Sequence, residues 1–429
     1  MQVCKARTTL TLQTRPTAQK SCQTIRPNPK VSERHAKGET SGSALSGVRV
    51  LELAEGVAGP HCGRFLAALG AEVIKIERPP NGDWTRGVGP FLKGPPSGEN
   101  SSLFAYNNPG KESVLYDWAS ERGLEFVESL VADFDILIED WDLELRRSLH
   151  ISRDRFTNLN KELIELSVTP YGLSGPYSEW RSSPIIQLAL GGFLYLTGNP
   201  GQEPLMLPGH QPDYLTGLNG SNAVHIALWE RDRSGEGQFL EVSMLETLAT
   251  LHQFTMEMET FEGILRTRNG NQWQKQSSFA SYGITTLPCS DGYICFGISA
   301  EDQWERLCAM IGREDLITDP EFNSRIKRAN NSDFLDELLT AWIAGRTRKE
   351  VFMETSELWS LPTAPILDMS EVLEDPQFIY RDMFKSADTF TDSGAMFPTF
   401  PFKSTGLTTS LGPLPFLGQH TEEFLGRYT

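Results

Sequence analysis

The chain has 429 residues, of which 39% are hydrophobic and 22% are charged, and its formal net charge is -17. The length predicts two compact units plus additional segments. The composition is typical of a globular protein, and no run approaches the ~20 apolar residues needed to span a bilayer, so we expect no membrane insertion. An acidic body repels phosphate backbones, which argues against nucleic acid as a partner.

The first 44 residues differ in composition from the rest of the chain. Eight Lys and Arg residues against Glu33 and Glu39 give this segment a charge of +6, so the remainder carries -23. The segment is rich in Thr, Ser, Gln and Arg and has no apolar period, which predicts a disordered N-terminal extension over residues 1–44. An upstream start codon or a mitochondrial transit peptide would explain the same composition. We therefore expect a cytoplasmic protein, or a mitochondrial matrix protein if the segment is a transit peptide.

The six cysteines are scattered along the chain, with no CxxC pair and no His spacing suited to zinc. This pattern predicts reduced thiols and no metal site.

Strands and helices alternate in the first half of the body. Apolar, β-prone runs predict strands at residues 48–53, 72–77, 112–117, 135–139 and 163–168, and helices are predicted at 61–69 and 120–131. The alternation indicates an α/β fold with a doubly wound, mostly parallel, Rossmann-like sheet that binds ligands at the carboxyl ends of its strands. The turn after the first strand is GVAGP rather than GxGxxG, which disfavours NAD.

Longer helices dominate the middle of the chain, and a second unit follows. A helix is predicted from Asp213 to about residue 231, then a strand at 238–243 and a helix at 244–261. A second, smaller α+β domain is predicted, with a strand at 292–298. The starts of its helices are predicted at Ser332, at the capping box Thr347–Glu350 and at Ser370. We predict a large domain over 45–262 and 370–429, a linker over 263–279, and a small domain over 280–369.

Four ordered segments carry a resemblance to a known family. They are residues 45–86, the phrase VTPYGLSGPY at 168–177, residues 212–247, and LPTAPILDMSEVLEDPQF at 361–378. Together they resemble the family III CoA-transferases, whose relatives include formyl-CoA and carnitine-type transferases and the α-methylacyl-CoA racemases. The resemblance implies an enzyme that moves CoA from an acyl-CoA thioester to a small carboxylic acid, with no tightly bound cofactor.

Asp213 is the predicted catalytic residue. The resemblance places the family's nucleophilic carboxylate at this position. A carboxylate at a helix N-terminus is held by free backbone N–H groups and by the helix dipole, and it can attack a thioester to give a mixed anhydride and then an aspartyl thioester. An ordinary N-cap Asp is the structural alternative.

The loop after the first strand and the end of the second strand are the predicted CoA contacts. The resemblance assigns Val57, Ala58 and Arg78 to CoA. A guanidinium at a strand end can bind a phosphate bidentately. The alternative for Arg78 is a surface ion pair with Glu77 or Glu72.

Further CoA contacts are predicted near the third, fourth and fifth strands. Asp140 stands where relatives have Asn, and Trp141 is predicted either to stack on adenine or to lie in the core. Arg146 or Arg147 supplies a second basic contact, with Arg147 preferred. The weaker candidates in this region are Tyr116 and Tyr171.

Two departures from the family pattern bear on the reaction. Ser183 replaces the His of the racemases, so two-base proton exchange lacks one base. Residues 268–272 do not form the Gly-rich loop of several transferases. A racemase or isomerase and a non-catalytic CoA-binding protein therefore remain the alternatives. His210, which precedes Asp213 by three residues, is predicted to be a loop residue because no nucleophile-elbow Ser accompanies it.

Assembly is also implied by the resemblance, because family members form interlocked homodimers. The linkers and the Pro-rich segment after Asp375 suit such threading. We expect a partner chain to cover the aromatic side chains of this returning segment, and self-packing is the alternative. These side chains are Phe397, Phe400, Phe402 and Phe416.

Overall fold

A computed structural model describes residues 43–92, 94–274, 280–386 and 394–428. Most of the predicted extension and the end of the predicted linker, 275–279, lie outside the described residues. The strands are β1 (Arg49–Glu52), β2 (Glu72–Glu77), β3 (Lys111–Leu115), β4 (Ile136–Glu139), β5 (Ile164–Thr169), β6 (Gln238–Ser243), β7 (Gln272–Gln274), β8 (Ser281–Cys289), β9 (Gly292–Gly297), β10 (Thr363–Pro365), β11 (Phe384–Ser386) and β12 (Met396–Pro398).

The helices lie between and after these strands. They are α1 (Ala58–Ala68), α2 (Ser102–Asn107), α3 (Glu121–Leu130), α4 (Leu143–Ser148), α5 (Arg155–Leu159), α6 (Pro184–Leu190), α7 (Phe193–Leu196), α8 (Gln211–Ser234), α9 (Met244–Ala249), α10 (Gln253–Glu262), α11 (Glu301–Met310), α12 (Asp315–Thr318), α13 (Arg325–Asn330), α14 (Ser332–Ile343), α15 (Arg348–Phe352), α16 (Met369–Glu374), α17 (Pro376–Tyr380) and α18 (Thr421–Tyr428). Short 3-10 turns occur at Trp84–Gly87, Val131–Asp133 and Thr250–His252, and a π-helical turn at Met353–Leu358.

The main sheet has six parallel strands in the order β3-β2-β1-β4-β5-β6. This confirms the predicted parallel α/β sheet. The chain order reverses between β1 and β4, which pair directly, for example Val50 with Ile136. In open α/β sheets ligands bind at this reversal, outside the carboxyl ends of the strands.

The two faces of the sheet carry separate cores. On one face α1 and α8 cover the sheet, with Cys62 and Val224 packed against strand residues such as Val50. On the other face, Trp118 and Trp141 join a second core. Phe424 of α18 belongs to that second core, so the C-terminal helix packs against the main sheet.

A third core lies around the antiparallel sheet β10-β9-β8-β7. Its strand side chains include Ile294 and Phe296, and helices contribute Trp304, Leu307 and Leu339. The residues of this core all fall between 282 and 361, inside the predicted small domain.

Several predicted boundaries are wrong, for local reasons. The helix predicted from residue 61 begins at Ala58, because Pro60 is tolerated in a first helical turn. The helix predicted to begin at Asp213 begins at Gln211, with His210 as its N-cap residue. The N-cap of α16 is Asp368 rather than Ser370, because the Asp368 carboxylate accepts from the Ser370 and Glu371 N–H groups at 2.8 and 3.0 Å.

Two longer segments also differ from prediction. The helix predicted over 244–261 is divided by the turn at Thr250–His252. The predicted linker contains strand β7, and β8 was not predicted, since its residues 281–289 mix apolar and polar side chains without strict alternation.

The aromatic residues of the returning segment behave in two ways. Phe397 is buried beside Ala105, and Phe400 contacts Phe65 at 5.4 Å between ring centroids. The expectation that a partner must cover these two is wrong, because they pack within the chain. Phe402 and Phe416 are exposed. No helix among the described residues has the length and apolar character needed to cross a membrane.

Candidate active site

The residues predicted to bind CoA follow the carboxyl ends of successive strands of the main sheet. Because parallel strands end at one edge, these positions share that edge. After β1 come Val57 and Ala58, after β2 Arg78, after β3 Tyr116, after β4 Asp140, Trp141 and Arg147, and after β5 Tyr171.

The loop between β1 and α1 has a conformation that requires glycine. Gly56 has φ +82°, and a Cβ at this position would lie 2.9 Å from the Trp84 ring. Its N–H donates to the Asp83 carboxylate at 3.0 Å. Val57 is the N-cap residue of α1 and Ala58 is its first residue. Asp83 therefore fixes the entry to the helix that carries both.

A buried ion-pair network lies beneath this loop. Lys75 Nζ is 2.9 Å from Asp83 Oδ2 and donates to Ala54 O at 2.7 Å. Lys111 Nζ donates to both Glu52 carboxylate oxygens, at 2.9 and 2.8 Å. Burial lowers the pKa of Lys111 to about 8 even though Glu52 opposes the shift. Each charge in this network has an opposite charge beside it, so the network holds the loop rather than offering a free group.

Arg78 forms a bidentate ion pair with Glu55, through Nε at 2.6 Å and Nη2 at 2.9 Å. The hydrogen bonds to Glu55 raise the pKa of Arg78. The alternative of a pair with Glu77 or Glu72 is wrong, because Glu77 binds Arg86. The Arg78 side chain is still half-exposed and lies at the edge where a ligand would enter.

Asp140 and Trp141 are adjacent in sequence but occupy different environments. Asp140 Oδ2 accepts the Glu55 N–H at 3.0 Å, and burial raises the pKa of Asp140 well above its ordinary value. A raised pKa favours the neutral carboxyl group, which has one donor and one acceptor, as does the Asn of relatives. Trp141 is buried between Trp118 and Phe156, so the core alternative describes it and no face is open for adenine.

Arg146 and Arg147 are distinguished by burial. Arg146 is buried and pairs with Glu139, and Glu165 lies 3.6 Å away. Arg147 is exposed, pairs with Glu179, and lines a cavity at the strand ends. Arg147 is therefore the basic side chain of the two that a ligand can reach.

This cavity has a volume of about 570 Å³ and lies beyond the carboxyl ends of β4 and β5. Sequence reasoning missed two of its lining residues, Trp180 and Arg181. Trp180 is exposed and stacks on Tyr177 with ring centroids 4.2 Å apart. The position of Trp180 and Arg181, three and four residues after the GPY phrase at 175–177, was the available signal. The cavity thus presents two guanidinium groups and an exposed aromatic face. Its lining also contains three carboxylates, from Asp142, Glu144 and Glu179.

The two predicted tyrosines lie to either side of these features. Tyr171 donates from its hydroxyl to Ser182 Oγ at 3.2 Å, and Ser182 lines the cavity. Tyr116 packs its ring on Phe126 at 4.4 Å. Tyr171 therefore borders the cavity, while Tyr116 contributes to the adjacent core.

Asp213 is the third residue of α8, in the first turn of the helix. Its side chain is 17% exposed, and Oδ2 lies 3.5 Å from His210 Nδ1. Oδ2 is buried and accepts no hydrogen bond from the described residues. Burial raises the pKa of Asp213, against the opposing effect of His210. The carboxylate lies beside His210, at the positive end of a 24-residue helix.

Close packing of α1 on α8 brings the β1 loop to Asp213. One turn after Asp213, a Cβ on Gly217 would lie 2.5 Å from Ala58 O and 2.8 Å from the His61 Cβ. Tyr214, which follows Asp213, contacts the His61 ring at 4.9 Å. The predicted nucleophile and the predicted CoA loop therefore lie on one helix–helix interface.

The side chains at this interface are neutral. His61 Nδ1 donates to Asn107 Oδ1 at 3.1 Å, a proton assignment that follows because Asn107 Nδ2 already donates to Leu103 O. Burial, helped by Arg64, lowers the pKa of His61 to about 3. Burial also raises the pKa of Tyr214 to about 12. Near neutral pH neither residue adds charge beside Asp213.

The sequence profile of CoA-transferase family III matches residues 45–421. The chain belongs to this family and is a CoA-transferase.

Two relatives and one solved structure are similar over most of their length. Succinate–glutarate CoA-transferase of Agrobacterium fabrum is 28% identical over 386 residues, covering 89% of this chain and 94% of that protein. An acyl-CoA transferase of Fusarium pseudograminearum is 31% identical over 398 residues, covering 90% and 85%. A CAIB/BAIF family protein from Brucella suis has a TM-score of 0.79 at 29% identity, covering 90% of this chain and 100% of that one.

Proposed function

We propose that this enzyme transfers CoA from an acyl-CoA thioester to a free carboxylic acid through a covalent intermediate on Asp213. The observation that carries this proposal is the buried Asp213 Oδ2, which accepts no hydrogen bond from the described residues. A buried carboxylate oxygen without a donor is costly, and such groups occur where they are used. Its position beside the β1 loop also supports the assignment.

The reaction proceeds by four exchanges at Asp213. Oδ2 attacks the thioester carbonyl carbon and the C–S bond breaks. The CoA thiolate departs, and the donor acyl group is now joined to Asp213 in a mixed anhydride. The thiolate attacks the Asp213 carboxyl carbon, releasing the donor acid and leaving an aspartyl–CoA thioester. The acceptor carboxylate then attacks the carboxyl carbon of Asp213 and displaces the CoA thiolate, which forms a second mixed anhydride between the acceptor and Asp213. The thiolate then attacks the acceptor's acyl carbon and regenerates the Asp213 carboxylate.

The burial of Asp213 serves this chemistry in two ways. A raised pKa makes a carboxylate more basic and more nucleophilic, and the N-terminal dipole of α8 still stabilises its ionised form. Exclusion of water protects the anhydride from hydrolysis.

The CoA nucleotide occupies the carboxyl edge of the sheet in this proposal. Val57 and Ala58 form the loop against which the thioester arm lies, and Arg78 and Arg147 bind phosphates. Asp140 in its neutral form and Tyr171 complete the polar edge. Tyr116 supports this edge from the adjacent core, and Trp180 replaces Trp141 as the aromatic face for adenine.

The relatives indicate which acids to assay first. One of them is named for its action on succinate and glutarate, both dicarboxylic acids. A donor such as succinyl-CoA with a dicarboxylic acceptor is therefore the first pair to assay.

Trapping of the intermediate tests the covalent proposal. The protein is incubated with succinyl-CoA, without an acceptor, and then treated with hydroxylamine. Mass spectrometry should find a hydroxamate on the peptide that contains Asp213, and none in the Asp213→Ala variant. Rapid transfer without any modified peptide would contradict the proposal.

The same proposal includes a homodimer. Large apolar side chains are exposed on α8 and α10, among them Trp229 at 63% and Phe261 at 84% exposed. Such surfaces indicate a partner, and interlocking of two chains would cover them. Sedimentation at micromolar concentration should give about twice the 47.9 kDa chain mass. A monomer at that concentration would contradict it.

A further inference from the structure

Six Lys and Arg residues are buried among the described residues, and one of them has no carboxylate partner. Five form ion pairs with Asp or Glu, namely Lys75, Arg86, Lys111, Arg146 and Arg328. The sixth is Arg64 on α1, which is 6% exposed. Its difference from the other five needs an explanation, because a buried charge without an opposite charge is strongly destabilising.

The immediate surroundings of Arg64 compensate its charge only in part. Nη2 donates to Pro398 O at 2.8 Å, and the guanidinium carbon lies 4.3 Å above the Tyr106 ring. A carbonyl dipole and an aromatic face stabilise a cation less than a carboxylate does. No ion pair joins Arg64 to an Asp or Glu of the described ranges.

Arg64 adjoins the same cluster of rings as the nucleophile. Tyr106 contacts Tyr214 at 5.4 Å between ring centroids, and Tyr214 follows Asp213 on α8. His61, one turn before Arg64, contacts Tyr214 as well. The cation and the nucleophile are thus separated by neutral rings, and no acidic side chain of this cluster competes for the guanidinium.

We propose that Arg64 binds the second carboxylate of a dicarboxylic substrate whose first carboxylate reacts at Asp213. This inference rests on the proposed covalent function, in which donor and acceptor acyl groups are joined in turn to Asp213. The proposal requires that a chain extending from that acyl carbon along Tyr214 brings its far carboxylate to the guanidinium, a group that binds carboxylates bidentately. A monocarboxylic acid leaves Arg64 unpaired, so the site discriminates between the two classes.

The test compares two acceptors of equal chain length, succinate and butyrate, with acetyl-CoA as a monocarboxylic donor that differs from both. In Arg64→Gln, kcat/KM for succinate should fall roughly 100-fold, while kcat/KM for butyrate should change by less than about threefold. Arg64→Lys keeps the charge and should recover part of the loss. Equal losses for both acids would overturn the proposal, since they would mean that Arg64 only anchors the segment around Pro398.

A measurement on the unaltered enzyme avoids dependence on the folding of the variants. The monomethyl ester of succinate has the same reacting carboxylate but lacks the second charge. The enzyme should prefer succinate over this ester by roughly 100-fold. Equal rates for the two acceptors would overturn the proposal.

The covalent mechanism and the role of Arg64 can fail separately. Formation of an aspartyl–CoA adduct from succinyl-CoA is measured by mass spectrometry in the unaltered enzyme. Absence of this adduct would contradict the covalent mechanism itself. An adduct accompanied by equal losses for succinate and butyrate in Arg64→Gln would contradict only the role of Arg64.

Discussion

Two groups of buried charges lie at or next to α1, and they differ in how completely they are paired. In the first group Lys111 Nζ bonds to Glu52, Asn108 and the Pro60 carbonyl, so all of its donors are used. In the second group Asp213 has an oxygen that accepts no hydrogen bond, and Arg64 has no carboxylate partner, among the described residues.

The contrast separates structural charges from charges kept for a substrate. A fully paired network in a dry interior fixes one backbone conformation, here the loop that contains Gly56 and Val57. Unpaired buried groups destabilise the free protein and are retained where a ligand completes them. Loss of the first kind should therefore change stability, and loss of the second should change transfer.

The largest expected effect is on transfer in Asp213→Asn. The amide has nearly the same shape as the carboxylate but cannot attack a thioester, so turnover should fall by about 10⁴-fold or more. The free energy of unfolding should change by no more than about 1 kcal/mol, since only a first-turn interaction is altered. Steady-state assays and denaturant titration measure the two quantities. Substantial turnover in a freshly prepared variant would place the chemistry elsewhere.

The paired network should respond in the opposite way. Lys75→Met leaves Asp83 buried without its nearest cation and should lower the free energy of unfolding by about 3–5 kcal/mol. The matched control is Lys385→Met, which removes an exposed pair with Asp382 and should cost less than about 1 kcal/mol. Both are measured by urea unfolding at one protein concentration. Similar losses in the two variants would mean that the buried network holds nothing in place.

The pH dependence of stability tests whether His61 is kept neutral in the folded protein. Its pKa is lowered from 6.5 to about 3, so the folded protein disfavours the proton that the unfolded chain binds below pH 6.5. This stability is present above pH 6.5 and is lost as the pH falls towards 3, with a slope of about 1.4 kcal/mol per pH unit. His61→Gln should lack that contribution to the slope, whereas a variant of the exposed His150 should keep it. Identical pH profiles for His61→Gln and the unaltered protein would show that His61 is not excluded from protonation.

The smallest expected effect concerns Arg78. Because this guanidinium already pairs with Glu55 and is half-exposed, Arg78→Ala should raise KM for acyl-CoA about tenfold with little change in kcat. Arg313→Ala, which removes an exposed pair with Asp315 far along the chain, is the control and should leave KM unchanged. An unaltered KM in Arg78→Ala would remove Arg78 from the CoA site.

The sequence predicted those features that depend on neighbours along the chain. β2 was predicted with its observed limits because an apolar run is bounded by Gly70 and Pro79. Asp213 was found because it stands at the start of a predicted long helix, and because the surrounding segment resembles a family. Such signals are local and survive without knowledge of the fold.

Features that depend on distant neighbours were not accessible. Arg64 could be singled out only from its tertiary contacts. It donates to the carbonyl of Pro398, 334 residues away, and it has no carboxylate partner among the described residues. Trp141 could not be assigned to the core or to adenine until its contact with Trp118 was known. Burial of a side chain is a tertiary property, and spacing alone does not determine it.

The central claim is that Asp213 is covalently acylated, and isotope transfer tests it most directly. When an acceptor acid carries ¹⁸O in its carboxylate, the last step leaves one labelled oxygen on Asp213, because the thiolate breaks the bond between the acceptor's acyl carbon and the bridging oxygen. Proteolysis and mass spectrometry after a single turnover should therefore find the peptide containing Asp213 heavier by one ¹⁸O. Label that reaches the released donor acid while this peptide stays unlabelled would show direct exchange between the two acids, and would contradict the covalent account.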